Sequence, residues 1–127
     1  MCEVRFFKCE ICGNQAGKIL DSGVPMFCCG QPMTQMEVQT VEEGAGEKHL
    51  PEVKIEGDKI KVKVGSVEHP MLDAHYIQWI YVKTENGGQR KCLKPGDAPE
   101  AEFALANDKA VAVYEYCNLH GLWATKL

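Results

Sequence analysis

After Pro51 the chain alternates apolar and polar residues in short runs, each closed by a turn. Val53 and Ile55 alternate with charged neighbours, Gly57-Asp58 breaks the run, and Ile60, Val62 and Val64 alternate again. That pattern predicts a β-hairpin. A longer strand is predicted from His75 to Lys83, with Ile77, Trp79 and Tyr81 on one face. Asn86-Gly87-Gly88 then turns the chain into a strand from Gln89 to Lys94. A Pro- and Gly-containing loop, Lys94 to Pro99, precedes the alternating Ala101, Phe103 and Leu105. Asn107-Asp108 leads into an apolar run from Ala110 to Tyr116, and Leu122 to Leu127 closes the chain. About seven short strands with regular turns and no helical period predict a mainly β fold, an immunoglobulin-like β-sandwich.

The first 36 residues follow another logic. Short strands are expected from Glu3 to Lys8 and from Ala16 to Leu20, but apolar residues are too few for an independent core. Cys9-Glu10-Ile11-Cys12 is followed by Gly13, and Cys28-Cys29 by Gly30. A Cys-x-x-Cys pair lets two thiolates face one ion, and the following Gly permits the tight turn that points N–H groups at sulfur. Four thiolates in so short a segment read as a tetrahedral zinc or iron site, with the metal acting as staple. The adjacent pair Cys28-Cys29 predicts a distorted site. A structural zinc ribbon or a redox dithiol are the alternatives.

Acidic, flexible Glu42-Glu43-Gly44-Ala45-Gly46 marks a boundary. The expected division is a metal domain at 1–36, a linker at 37–48 and the sandwich at 49–127. Net charge is −4 with no basic tract, which argues against nucleic-acid binding. No apolar stretch suits a signal peptide or a membrane span, so a cytoplasmic protein without membrane association is expected. Seven cysteines, an odd number, then point to metal ligation rather than disulfides.

The four histidines are His49, His69, His75 and His120. Each flanks a turn or loop, and His120 shares Cys117-Asn118-Leu119-His120 with a thiol. A lone histidine in any of these places is more often a satisfied loop residue. Together with Cys117 they form a set of nitrogen and sulfur donors suited to a transition metal.

Taken in order, Cys9-x-x-Cys12, Cys28-Cys29, Glu47-Lys48-His49, His69-Pro70-Met71, His75 and Cys117-Asn118-Leu119-His120 resemble the desulfoferrodoxins, the two-iron superoxide reductases. The resemblance spans the chain. It implies a desulforedoxin-like domain in which Cys9, Cys12, Cys28 and Cys29 hold one iron. It implies a second mononuclear iron held by His49, His69, His75 and His120, with Cys117 as axial ligand and the sixth position open. His120 would bind through Nδ1 and the others through Nε2. The implied activity is reduction of superoxide to hydrogen peroxide, with iron returned to the ferrous state by a rubredoxin-like electron donor. Lys48 would attract the anion, and Glu47 would bind ferric iron and swing away on reduction. A homodimer is implied as well. Cys2 and Cys92 match no ligand and read as free thiols. N–H groups in the turn at 118–120 are expected to hydrogen-bond the Cys117 sulfur. Competing readings are a non-catalytic electron carrier and a zinc-stapled binding module. Four histidines and a cysteine exceed the usual zinc sphere.

Overall fold

The computed structural model describes residues 3–40 and 46–127, with the side chain of Glu47 outside the description. Residues 41–45, which include most of the flexible segment read from the sequence, and Cys2 also lie outside it. The chain divides into two compact units, Met1–Glu37 and Val38–Leu127.

In the first unit, β1 (Arg5–Lys8) lies between β2 (Gln15–Lys18) and β5 (Thr34–Gln35), both antiparallel to it. A second ribbon pairs β3 (Phe27–Cys28) with β4 (Gln31–Pro32). Only Phe7 and Cys9 are buried among this unit's described apolar residues. That is too little apolar area to offset chain entropy in a unit of this size. Polar links help: the Lys18 ammonium donates to Asp21 at 2.8 Å and to the Val24 carbonyl at 2.9 Å.

The second unit is a two-sheet sandwich. Its strands are β6 (Val38–Gln39), β7 (Pro51–Glu56), β8 (Lys59–Val64), β9 (Ile77–Thr84), β10 (Gly88–Cys92), β11 (Glu100–Ala104), β12 (Ala110–Cys117) and β13 (Gly121–Lys126). One sheet has the order β10-β9-β12-β13-β6 and the other β11-β8-β7. The seven strands read from alternation are β7 to β13. β6 joins them in parallel with β13, a two-residue strand too short to leave a periodic signal. One helical turn, α1 (Gly46–His49), precedes β7. No helix among the described residues is long and apolar enough to cross a membrane.

The core lies between the sheets. Ile60, Val62 and Val64 of β8 and Phe103 of β11 meet Ile80 and Val82 of β9 and Val113 of β12. Period-two alternation puts these residues on one face of each strand. The sequence pattern failed at one point. Ile77 joins the core cluster with Ile80 and Val82, whereas Trp79 and Tyr81 belong to the opposite face. The cause is a register shift: Tyr116 pairs with Trp79, but Cys117 pairs with Ile77, so Gln78 is the extra residue of a β-bulge. The bulge re-aims Ile77 inwards beside Cys117, which is itself fully buried.

Phe103 is 1% exposed and fills the space between the sheets. Phe103→Ala should lower the unfolding free energy of the sandwich by about 3–5 kcal/mol. Denaturant unfolding followed by tryptophan emission measures this, since Trp79 and Trp123 both lie in the sandwich.

Candidate metal centres

Antiparallel register brings several chain ends to one end of the sandwich. Pro51 at the start of β7 pairs with Val64 at the end of β8. Cys117 at the end of β12 pairs with Ile77 at the start of β9 and Gly121 at the start of β13. His49 ends α1, two residues before the start of β7, His69 and His75 lie between β8 and β9, and His120 sits in the β12–β13 turn. Gly121 takes a φ of 85°, left-handed backbone that favours glycine and lets the strands connect directly below His120.

The four imidazoles form a closed cycle. Ring centroids are 4.5 Å apart for His49–His69, 4.7 Å for His69–His75, 5.0 Å for His75–His120 and 4.8 Å for His120–His49. His49 Nε2 and His120 Nδ1 are 3.1 Å apart, and Cys117 Sγ lies 3.7 Å from the same Nδ1. Two nitrogens about 2.1 Å from one ion at a right angle would be ~3 Å apart. Donor atoms of His49, His69, Cys117 and His120 all fall within 4.8 Å of one another. His75 lies outside that tight group and completes the cycle through its ring contacts.

Ring orientation is set by second partners. His69 Nδ1 lies 2.6 Å from the Pro70 carbonyl, the geometry of an N–H donor, which leaves the Nε2 lone pair free. His69 Nε2 and His75 Nε2 are both buried without a hydrogen-bond partner. Burial, with smaller contributions from the charges of neighbouring imidazoles and Lys48, lowers His49 to about 3 and His69 to about 4. Burial also lowers His75. These rings are therefore neutral near pH 7, with lone pairs available to a cation. Burial pushes the Cys117 thiol up, against N–H donors from Leu119 and His120 that favour the thiolate. A bound cation would displace its proton. Orphaned buried nitrogens, neutral imidazoles and an N–H-cradled sulfur fit a transition metal, and four nitrogens with one sulfur suit iron better than tetrahedral zinc.

Three further side chains surround the cycle, and the sequence reading did not identify them. Glu115 is fully buried, and its carboxylate oxygen lies 3.5 Å from His49 Nδ1. Burial holds its carboxyl well above the usual range. Its signal was legible: a charged residue shares the inward parity of Val113 in an apolar strand. Trp123 stacks on His49 with centroids 5.0 Å apart and rings 10° from parallel. Its indole N–H donates to the His120 carbonyl at 3.1 Å. Gln39 donates to the same carbonyl at 2.7 Å. Nothing in its local sequence marks Gln39, because only the β6–β13 pairing brings it there. Lys48 is exposed beside the buried His49, and its charge contributes to the lowered values at three of the histidines. The Glu47 side chain lies outside the described residues.

In the first unit, Cys9, Cys12, Cys28 and Cys29 place their sulfurs within 4.8 Å of one another. Cys12 Sγ and Cys28 Sγ are 3.6 Å apart. Each pair is followed by a left-handed glycine, Gly13 at φ 81° and Gly30 at φ 77°. Cys29 itself has φ 53°. That left-handed turn lets adjacent side chains face one point, at a cost of about 1–2 kcal/mol for a non-glycine residue. N–H groups of Cys12 and Ile11 lower Cys9 to about 6. Hydrogen bonding with Cys12, then with Cys9 and Cys28, pushes Cys29 up to about 12. One thiolate thus makes the next harder to form, and four need a cation among them. Asn14, which the sequence reading passed over, donates from its main chain to Cys12 Sγ and from its side chain to Cys28 Sγ, each at 3.5 Å. Cys92 is an exposed free thiol on β10.

Comparison with known proteins finds relatives over nearly the whole chain. The family model described as Desulfoferrodoxin matches residues 41–126, and that described as Desulfoferrodoxin, N-terminal domain, matches residues 2–36. The chain is 50% identical over 120 residues to a desulfoferrodoxin homolog of Archaeoglobus fulgidus, covering 94% of each. It is 46% identical over 121 residues to a desulfoferrodoxin of Nitratidesulfovibrio vulgaris, covering 95% of this chain and 94% of that one. The crystal structure of the superoxide reductase from Treponema pallidum superposes with a TM-score of 0.83 at 39% identity, covering 98% of each chain. Two matched domains that together span nearly the whole chain, and relatives this similar over nearly their full length, show that the chain belongs to the desulfoferrodoxin family.

Proposed function

We propose that the chain is a superoxide reductase, taking one electron and two protons per superoxide to form hydrogen peroxide. The observation that carries this is the closed cycle of four imidazoles with the buried Cys117 sulfur 3.7 Å from His120 Nδ1. His49, His69, His75, His120 and Cys117 would hold one iron, and Cys9, Cys12, Cys28 and Cys29 the other. When bound, ferrous iron at the five-donor site would supply the electron and keep a sixth coordination position for the substrate.

The remaining work falls to the chain. Superoxide is an anion, and the protein carries a net charge of −4. Attraction must therefore be local, and Lys48, exposed and adjacent to His49, is the cation placed to provide it. Its ammonium can also order the water that delivers protons. Glu47, its neighbour, is assigned by family resemblance to the resting ferric state. N–H groups of Leu119 and His120 favour the thiolate form of Cys117 and would temper how strongly it donates to a bound iron.

An external donor must return the electron, and a rubredoxin-like protein has the matching one-electron chemistry. Leu72 and Leu119, 65% and 60% exposed, lie on the two ligand-bearing loops and offer it an apolar contact at the site. A second copy of the chain is proposed to cover the first unit. That unit leaves Ile11, Ile19, Leu20, Val24 and Phe27 exposed, with Ile19 at 92%. So much exposed apolar surface on a small unit marks an interface. A cytoplasmic location suits the thiolate ligands, because reducing conditions keep them free of disulfides.

Lys48→Ala should slow superoxide reduction roughly tenfold at low ionic strength. Its rate should also depend less on salt, as read by stopped-flow kinetics across an ionic-strength series; an unchanged rate-versus-salt curve would remove Lys48 from steering. Cys117→Ser should abolish reductase activity while the four-cysteine unit still binds its metal, measured by metal content and visible absorption. A colourless protein containing only zinc would overturn the enzyme reading. Ile19→Glu combined with Leu20→Glu should give a monomer by sedimentation if this face joins two copies.

A further inference from the structure

We infer that Asn118 is the positioning residue for His75, gripping the main chain on both sides of that ligand. The inference rests on His75 being a metal ligand, as proposed above. His75 lies just outside β9, where the sheet does not hold it. The last pairing between β12 and β9 joins Cys117 to Ile77, directly after the register shift at Gln78. Locally, Leu72 and His75 exchange main-chain hydrogen bonds of 2.9 and 3.0 Å. Those bonds close the small turn before β9 and leave its position relative to the other donors unset.

Asn118 supplies that link from between two other ligands, Cys117 and His120. Its Oδ1 accepts from the Tyr76 N–H at 2.9 Å. Its Nδ2 donates to the Ala74 carbonyl at 3.0 Å. Its own N–H donates to the Tyr76 carbonyl at 3.3 Å. The residues before and after His75 are thus both tied to the turn that carries Cys117 and His120. A planar amide presents an acceptor and a donor at this reach. Aspartate keeps the acceptor and loses the donor; leucine keeps the shape and loses both. His75 is also the one histidine outside the group of donors within 4.8 Å, so its approach depends most on how its loop is held.

The test is anaerobic ferrous-iron binding to the full-length chain with the four-cysteine site already filled. Asn118→Leu should weaken iron binding at the histidine site about 10–100-fold. Asn118→Asp should lose less, because the Tyr76 bond survives. In a His75→Ala background, Asn118→Leu should cause no further loss, since the ligand it acts through is gone. Native affinity in Asn118→Leu would overturn the inference. An equal loss with and without His75 would also overturn it, reducing Asn118 to a purely structural role. If Asn118→Leu does not fold, Asn118→Asp carries the same comparison. His75→Ala binding iron as tightly as the native chain would instead remove the ligand reading itself.

Discussion

Five donors from four separate stretches of chain must meet at one point, and antiparallel register makes them meet. Pairing of Pro51 with Val64 aligns the ends of β7 and β8 in one sheet, and pairing of Cys117 with Ile77 and Gly121 aligns β9, β12 and β13 in the other. Contacts between the sheets, such as the Thr125 hydroxyl on the Pro51 carbonyl at 2.6 Å, bring the two sets of ends together. Every histidine lies within a few residues of one of those strand ends or in the connection between two of them. A one-residue slip in either sheet would turn a core face to solvent. The packing that holds Ile60, Val62, Ile80 and Val113 together therefore also holds the donors in place.

Burial gives the convergence its chemistry. Water is kept from His49, His69 and Cys117, so the buried rings stay neutral, and Nε2 of His69 and of His75 has no protein hydrogen to accept. Each unsatisfied buried polar atom costs about 1–3 kcal/mol. A cation relieves several such costs at once, and Trp123 and Pro70 hold the rings where it can do so. Glu115 adds a buried carboxyl 3.5 Å from the outer nitrogen of His49, with no hydrogen bond between them, so that both groups add to the cost of burial.

The first unit solves the reverse problem. It buries little beyond Phe7 and Cys9, so its four sulfurs stand in for a core. Their mutual resistance to ionisation makes the bound cation part of the fold rather than an addition to it. Here the site was nearly complete in the sequence. Cys-x-x-Cys and Cys-Cys, each followed by glycine, are local patterns, and local patterns survive in one dimension. Asn14 was missed because its donation to Cys28 joins residues fourteen apart.

By itself the sequence determined the class of fold and the chemical nature of both donor sets. Alternation with a period of two exposes each strand's faces without reference to partners, and thiol and imidazole chemistry follows from residue type alone. Tertiary structure decided the rest. Sheet pairing put Gln39 on the His120 carbonyl and Trp123 over His49. A single bulge at Gln78 separated Ile77 from Trp79 and set Cys117 into the core. It also decided which main-chain groups bracket His75. These are contacts between residues distant in sequence, and their energies depend on a register that no single stretch of chain contains.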